Sequence, residues 1–336
     1  MKLNYNEVQS QLKAQPRKWL ITGAAGFIGS NICLKLLELG QEVTGLDNYS
    51  NGQKRNIEEL SQKFPSFQFV EGDIRNLDQC KNLTQGKDHV LHQAALGSVP
   101  RSIKDPLASH DSNVNGLLNV LYACKEFDVP LVFASSSSVY GDSPNLPKVE
   151  HITGMPLSPY AATKATKELY AKVFASTYNV HVTGLRYFNV FGPRQTPDGA
   201  YAAVIPKWIG QILRNQPVEI YGDGTTSRDF CYIANAVQAN LMAAFHGSSN
   251  KSGEIYNIAA EKQTSLTDLF NIIRTNLVAL KSDLKIDDPI YKDFRAGDVK
   301  HSLASIDKAR NDFSYNPTHS IEQGLEECTQ WYVENL

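Results

Sequence analysis

The sequence predicts an α/β fold: a doubly wound parallel sheet with a smaller C-terminal α/β lobe. Three observations carry the expectation. A short apolar run, Trp19-Leu20-Ile21, is followed by Thr22-Gly23-Ala24-Ala25-Gly26-Phe27-Ile28-Gly29 and then by apolar positions at helical spacing from Ile32 to Leu39, the order strand, glycine loop, helix. Three later apolar runs each close on small or polar residues, as buried parallel strands do. The chain is 336 residues long and 42% hydrophobic, with no repeat at solenoid periods and no long linker, so it can bury a large core with two unequal, interleaved lobes.

Taken in order, the polar stretch Met1 to Arg17 reads as a helix lying on the surface and lacks the apolar core of a signal peptide. In the glycine loop, Gly23 allows the tight turn, Gly26 lets a pyrophosphate approach the backbone, and Gly29 lets the helix pack closely on the strand. The helix N-terminus then faces the phosphates. The second strand, Glu42 to Leu46, ends in Asp47, about 20 residues beyond the loop, where a carboxylate accepts hydrogen bonds from an adenosine ribose. The same charge repels a 2′-phosphate, which favours NAD over NADP. Phe67 to Val70 leads to Glu71-Gly72-Asp73-Ile74, His89 to His92 leads to Gln93-Ala94-Ala95, and Leu131 to Ala134 leads to Ser135 through Ser138. Ligands of an open parallel sheet lie beyond the carboxyl ends of its strands, so Asp73, Ile74, Gln93, Ala94, Ala95 and the serines are expected around one crevice, with Asp73 meeting the adenine amine. Downstream, Tyr160 and Lys164 are four residues apart. That spacing on a helix brings an ammonium beside a phenol and favours its ionised form, a usable base.

With the glycine loop, Asp47, the serine run and the Tyr160/Lys164 pair in this order, the chain from Lys18 to Tyr332 resembles the extended short-chain dehydrogenase/reductase family, and within it the nucleotide-sugar 4-epimerases. The resemblance implies an NAD-binding Rossmann domain over residues 1–188 with returns near 230–258, and a substrate-binding lobe over residues 189–336. Ser136-Ser137-Ser138-Val139-Tyr140-Gly141-Asp142 resembles the catalytic-serine segment of that group and puts the serine at Ser136, with Ser137 the next candidate. The segment lacks the acidic pair of the sister dehydratases. The implied mechanism has Tyr160 take the proton of the sugar 4-hydroxyl, Ser136 hydrogen-bond that oxygen and Lys164 hold the cofactor ribose. A transient 4-keto sugar turns over and is reduced on its opposite face, so NAD is regenerated in each turnover. The implied cofactor contacts are Gly23, Gly26, Phe27, Ile28 and Gly29 in the loop, then Asp47, Asn48, Ser50 and Gly52, then Asp73, Ile74, Gln93, Ala94 and Ala95. Tyr160, Lys164, Tyr187 and Val190 complete them.

Leu185 to Pro193 resembles the family signature L-R-Y-F-N-x-x-G-P, in which the asparagine touches the substrate diphosphate and the tyrosine backs the nicotinamide; these are Asn189 and Tyr187 here. The resemblance further implies that Ala203, Val204, Lys207 and Trp208 line the uridine, Tyr221 flanks the uracil, Arg228 and Arg295 grip the diphosphate and Asp298 meets a ribose. Arginine suits a planar bidentate phosphate contact. Two stretches, His92 to Ser102 and Gly297 to Ser302, look like bacterial epimerases of UDP-N-acetylglucosamine and UDP-N-acetylgalactosamine. Ser302 falls where glucose-restricted relatives place tyrosine, leaving volume for an acetamido group, and Ser98, Ser137 and Ser138 are candidate hydrogen-bond partners of the sugar. The same stretches occur in epimerases of N-acetylhexosaminuronic acids, for which Arg101 offers a cation. A dehydrogenase or decarboxylase of the same family is a further alternative. Among the departures from the pattern, Ala259 to Ser265 lacks the glycine and arginine common before the threonine, so a nucleotide contact is lost or taken by Lys262, and Ser135 adds a serine where alanine is frequent.

Composition adds exclusions. A net charge of −2 gives no footprint for nucleic acid or a membrane surface. The five cysteines form no CxxC pair and have no histidines at metal spacing, so reduced thiols, no metal and a cytoplasmic setting are expected. Stretches at residues 106–127 and 160–178 carry apolar stripes, Leu117, Leu118, Leu121 and Leu169, Val173, Phe174, which in the family pair across a homodimer interface.

Overall fold

The computed structural model describes residues 2–196, 203–247, 253–294 and 300–336. In chain order its strands are β1 (Lys18–Thr22), β2 (Glu42–Asp47), β3 (Gln68–Glu71), β4 (His89–His92), β5 (Leu131–Ser136), β6 (Val182–Tyr187), β7 (Val190–Phe191), β8 (Glu219–Tyr221), β9 (Ser227–Asp229), β10 (Cys231–Tyr232), β11 (Glu254–Ile258), β12 (Gln263–Ser265) and β13 (Ile290–Lys292). Seven of these form one sheet in the order β11-β6-β5-β4-β1-β2-β3, all pairs parallel. The chain steps outward from β1 to β3 and then returns to lay β4 on the other side of β1. Thr22 is therefore level with Leu46 on one side and His92 on the other, and a crevice opens at this reversal. The remaining strands pair two by two, β7 with β10, β8 with β13 and β9 with β12.

The helices are α1 (Tyr5–Ala14), α2 (Phe27–Glu38), α3 (Lys54–Lys63), α4 (Leu77–Thr84), α5 (Val99–Lys104), α6 (Pro106–His110), α7 (Gly116–Phe127), α8 (Pro159–Tyr178), α9 (Val204–Leu213), α10 (Ile233–Gly247), α11 (Leu266–Leu280), α12 (Asp307–Phe313) and α13 (Ile321–Asn335). They cover both faces of the central sheet. Alternation along β1 sends Trp19 and Ile21 into one core and Leu20 into the other. That is why the strands read as continuous apolar runs rather than alternating ones. No helix among the described residues is long and apolar enough to cross a membrane.

Three elements differ from expectation. The opening helix is anchored rather than merely laid on the surface. A capping box of Asn4 and Glu7 starts it, Val8 and Leu12 are buried, and Gln41 donates to the Leu12 carbonyl. The stretch 106–127 is helical throughout but not regularly so: a π-helical turn, Asp111–Asn115, lies between α6 and α7. The widened turn aims Asn113 at the loop after β4, where it accepts from the Leu96 N–H at 2.7 Å and donates to the Leu96 carbonyl at 3.1 Å. Finally, Leu117 and Leu121 of α7 are buried with Val90, Leu131 and Phe133, so this stripe covers the sheet.

Candidate active site

The glycine loop is closed by contact as well as by conformation. Gly23 has φ +75°, and a Cβ there would lie 2.6 Å from the Ala94 nitrogen, so the β1 loop and the β4 loop meet backbone to backbone. A Cβ on Gly29 would lie 2.0 Å from the Gly23 carbonyl oxygen, which locks α2 onto the loop. Gly26 occupies the N-cap of α2 and offers no side-chain cap, leaving the first-turn N–H groups available to a phosphate. Asp47, at the end of β2, accepts from the Ala25 N–H at 3.0 Å and the Tyr49 N–H at 2.7 Å, and its burial pushes the carboxyl up from the usual range. Gly52 then passes so close that its Cβ would stand 2.6 Å from that of Ala25. Phe27 and Ile28 are half-buried on the first turn of α2.

Around the crevice the structure gathers Gly23, Gly26, Asp47, Asn48, Ser50, Gly52, Ile74, Gln93, Ala94 and Ala95 in one cavity wall, with Asn51, Leu96 and Ser112 as lining the sequence did not single out. Asp73 is gripped by Arg75 and by Asn48 Nδ2 at 2.8 Å; the guanidinium holds its carboxyl down at about 2. Asn51 reaches the Ala95 carbonyl and also the Arg101 guanidinium, tying the loop after β2 to α5. Arg101 is thereby engaged within the chain.

The reactive side chains come from β5 and α8. Ser136 ends β5, level with Tyr187 on β6, and its Oγ accepts from the Ser138 N–H at 3.1 Å as the cap of the 3-10 turn Ser137–Tyr140. Ser135 is buried and donates to Glu168 at 2.5 Å, which removes it from competition. Ser137 is half-buried, and the Ser138 hydroxyl is buried with no hydrogen-bond partner among the described residues. Ser158 caps α8 and Pro159 opens it, so Tyr160 stands in the first turn, its N–H donating to Ser102 Oγ at 2.9 Å. Lys164 lies one turn on, its Nζ 5.6 Å from the Tyr160 ring centroid and donating to the Ala134 carbonyl at 2.9 Å. Phenol, ammonium and the end of β5 thus converge.

Behind them, the Tyr187 hydroxyl donates to Gln93 Oε1 at 3.1 Å and accepts from Asn240 Nδ2 at 2.7 Å, while Gln93 Nε2 donates to Asn240 Oδ1 at 2.9 Å. This closed triangle joins β6, β4 and α10. Sequence reading missed Asn240, whose only signal is a polar side chain inside an apolar helix.

On the lobe side, Asn189 has φ +35° and donates to the Asp229 carbonyl at 3.0 Å. Asp229 is wholly buried, accepts from the Ala260 and Ala304 N–H groups, and is pushed up to about 6 by burial. Arg228 donates to the Ser227 and Lys300 carbonyls, and the Ser302 N–H donates to the Ser227 carbonyl, so Arg228 and Ser302 meet at Ser227. Tyr221 is half-buried and donates to Glu219. Val190, Val204 and Lys207 are half-buried and Ala203 is exposed, whereas Trp208 is buried edge-on against Phe270, behind the face that Lys207 presents. Ser98 takes φ +90° and caps α5. Lys262 pairs with Glu322 at 2.8 Å, on a cavity lined by Phe230, Arg310 and His319 and not on the crevice; the expected substitute nucleotide contact is engaged elsewhere. Arg295 and Asp298 lie outside the described residues. No group of three or more His, Cys, Asp or Glu among the described residues is arranged to hold a metal.

Residues 19–259 match the model of the NAD dependent epimerase/dehydratase family. The UDP-N-acetylglucosamine 4-epimerase from Methanobrevibacter ruminantium, solved with UDP-N-acetylmuramic acid, is 38% identical with a TM-score of 0.87, over 96% of this chain and 100% of that one. A putative UDP-glucose 4-epimerase of Methanocaldococcus jannaschii is 37% identical over 94% of this chain and 98% of its own length. A UDP-glucuronate 4-epimerase of Thermodesulfobacterium geofontis is 36% identical over 95% and 97%. The chain belongs to the NAD dependent epimerase/dehydratase family. Within it, it is a UDP-sugar 4-epimerase homologue whose cofactor is NAD, and the uncapped α2 N-terminus, the Gly23–Ala94 approach and Asp47 fit that group.

Proposed function

We propose that the protein interconverts UDP-N-acetylglucosamine and UDP-N-acetylgalactosamine at carbon 4, with weaker activity on UDP-glucose and UDP-galactose. Bound NAD supplies the hydride acceptor and donor. Tyr160 removes the 4-hydroxyl proton, and Lys164, fixed against Ala134, keeps positive charge beside the phenol. Ser136 hydrogen-bonds the reacting oxygen from the end of β5. Tyr187, clamped by Gln93 and Asn240, would back the nicotinamide of bound NAD. Asn189, Arg228 and the undescribed Arg295 hold the diphosphate, while Ala203, Val204, Lys207, Tyr221 and Asp298 surround the uridine.

The substrate assignment is carried by the segment His301–Ser305. It bridges at one end to Ser227, beside Arg228, and at the other to Lys148, which follows the serine segment. In this reading Ser302, held beside Ser227 and Arg228 by its backbone bond to the Ser227 carbonyl, faces the sugar, where a small polar side chain would leave room for an acetamido group at carbon 2. Ser302→Tyr is expected to abolish turnover of the N-acetylated sugars and spare UDP-glucose, since filling a pocket discriminates by steric exclusion. The test is a proton NMR time course of the purified protein with UDP-N-acetylglucosamine and no added NAD. The anomeric signal of UDP-N-acetylgalactosamine supports the reading; its absence, with UDP-glucuronic acid or its N-acetylhexosaminuronic analogue converted instead, replaces the substrate and keeps the chemistry.

We also propose a cytoplasmic homodimer, with surface polysaccharide as the destination of the sugars. All five cysteines are free and buried, as in a reducing compartment. Leu169 and Val173, one turn apart on α8, are 64% and 51% exposed, an apolar strip a second copy would cover.

A further inference from the structure

Asn240 is an amide inside an otherwise apolar stretch of α10, wholly buried among Ala236, Ala239 and Ala243, and it does not itself line the crevice. Its side chain closes a triangle of hydrogen bonds that runs head to tail. The Tyr187 hydroxyl donates to Gln93 Oε1, Gln93 Nε2 donates to Asn240 Oδ1, and Asn240 Nδ2 donates back to the Tyr187 oxygen, at 3.1, 2.9 and 2.7 Å. The remaining Nδ2 proton goes to the Ala236 carbonyl at 2.7 Å. That bond fixes the orientation of the amide: turned over, its oxygen would face the Ala236 carbonyl and its nitrogen the Gln93 nitrogen.

The triangle is placed where the chemistry is. Gln93 lines the crevice just beyond β4, and Tyr187 ends β6, level with Ser136 in the β5–β6 register. In the sheet β5 lies between β4 and β6, so the bond from Tyr187 to Gln93 reaches across the carboxyl end of β5, where Ser136 stands. Stability alone gives little reason for three polar side chains here, because replacing the partners of a buried hydrogen bond by apolar groups of the same shape is nearly neutral. Direction is what they add. An aromatic side chain held only by apolar packing can tilt, whereas a phenol that both donates and accepts, to two different elements, is fixed, and bonds closed in a cycle strengthen one another.

We propose that Asn240 is a positioning residue for the cofactor: by fixing the Gln93 amide and the Tyr187 ring, it holds the nicotinamide half of NAD beside Ser136 while the sugar turns over. The inference rests on the reading that Tyr187 backs the nicotinamide. Epimerisation makes a particular demand of this wall. The 4-keto sugar is reduced by the same cofactor that oxidised its precursor, so both must stay in place until the hydride returns. An escape leaves one UDP-sugar as its 4-keto form and one NAD as NADH, with the proton of the 4-hydroxyl released.

Asn240→Leu removes one corner of the triangle at similar volume, and Tyr187→Phe opens another while keeping the aromatic packing. Both are compared with wild type by two binding readouts. One is the dissociation rate of NADH, followed by its fluorescence on displacement with excess NAD; the other is the affinity for ADP-ribose, which lacks the nicotinamide. NADH is expected to leave both variants about threefold to tenfold faster, the range for loss of one buried hydrogen bond, with ADP-ribose affinity unchanged and the double variant no faster than either single one. With whichever UDP-sugar the wild type converts, the variants also leave more NADH per molecule of product, read at 340 nm. An unchanged NADH dissociation rate in folded Asn240→Leu overturns the inference. So does an equal loss of ADP-ribose affinity, the sign of a merely structural role. A wild type that converts no UDP-sugar overturns the proposed activity instead, and the dissociation rates still decide the role of Asn240. If Asn240→Leu does not fold, Tyr187→Phe carries the decision.

Discussion

Tyr160 is half-buried in the first turn of α8, so its ring contributes packing that phenylalanine keeps and its hydroxyl contributes chemistry that phenylalanine lacks. Tyr160→Phe is expected to fold, retain NAD and lose about 10²–10⁴-fold in kcat, the range for removing a general base; near-normal turnover rules the assignment out. Two aspartates carry opposite pH signatures. Asp73, held at about 2 by Arg75, contributes stability that is present above its ordinary value of 3.8 and is lost as pH falls toward 2. Asp229, pushed up to about 6 by burial, binds its proton more tightly folded than unfolded, so its contribution is greatest below 3.8 and declines as pH rises to about 6. The melting-temperature advantage of wild type over Asp229→Asn should therefore be larger at pH 4 than at pH 7, and a pH-independent difference would contradict it. Tyr160, Lys164 and Asp47 were legible because fixed spacings on one helix or one loop carry them. Asn113, Asn240 and the Asn51–Arg101 tie were not, because each acquires meaning from a partner many residues away that only the closed fold supplies.

Among elements, α2 and its loop are the least tolerant of added volume. Gly29→Ala places a methyl group on the Gly23 carbonyl, so the helix must lift from the loop that faces the phosphates. The purified variant is expected to lose copurifying NAD, read from its 260/280 nm absorbance ratio; undiminished NAD would show that the close approach is dispensable. The sheet strands β1 to β4 were readable to within a residue because strands of a parallel sheet carry apolar runs. The π turn between α6 and α7 was not, since nothing in the local periodicity of residues 106–127 marks it. Its cause is distant: the backbone of Leu96 needs partners, and one extra residue in the turn brings Asn113 to them. The stripe on α7 illustrates the limit of periodicity, which identifies an apolar face but not what covers it. Leu117 and Leu121 are buried against the sheet, whereas Leu169 and Val173 on α8 are largely exposed.

At the scale of the whole molecule, that exposed face makes a prediction about assembly. If it is a dimer interface, Leu169→Asp with Val173→Asp should convert the sedimenting species to a monomer while leaving the melting profile cooperative. A wild-type chain that sediments as a monomer would remove the interface. The proposed cofactor half was more legible than the proposed substrate half, because a glycine loop and the candidate ribose-binding carboxylate lie within one strand–helix–strand unit, whereas the proposed substrate wall would be assembled from Asn189, Arg228 and Ser302, well separated along the chain. The ladder that pins residues 301–305 to Ser227 on one side and to Lys148 on the other has an evolutionary corollary. With its backbone stitched at both ends, this segment has little freedom to shift its position, so if it walls the sugar as proposed, a lineage would change the sugar it accepts by exchanging single side chains along it. Close relatives with different preferences should then superimpose in this segment and differ in only a few residues.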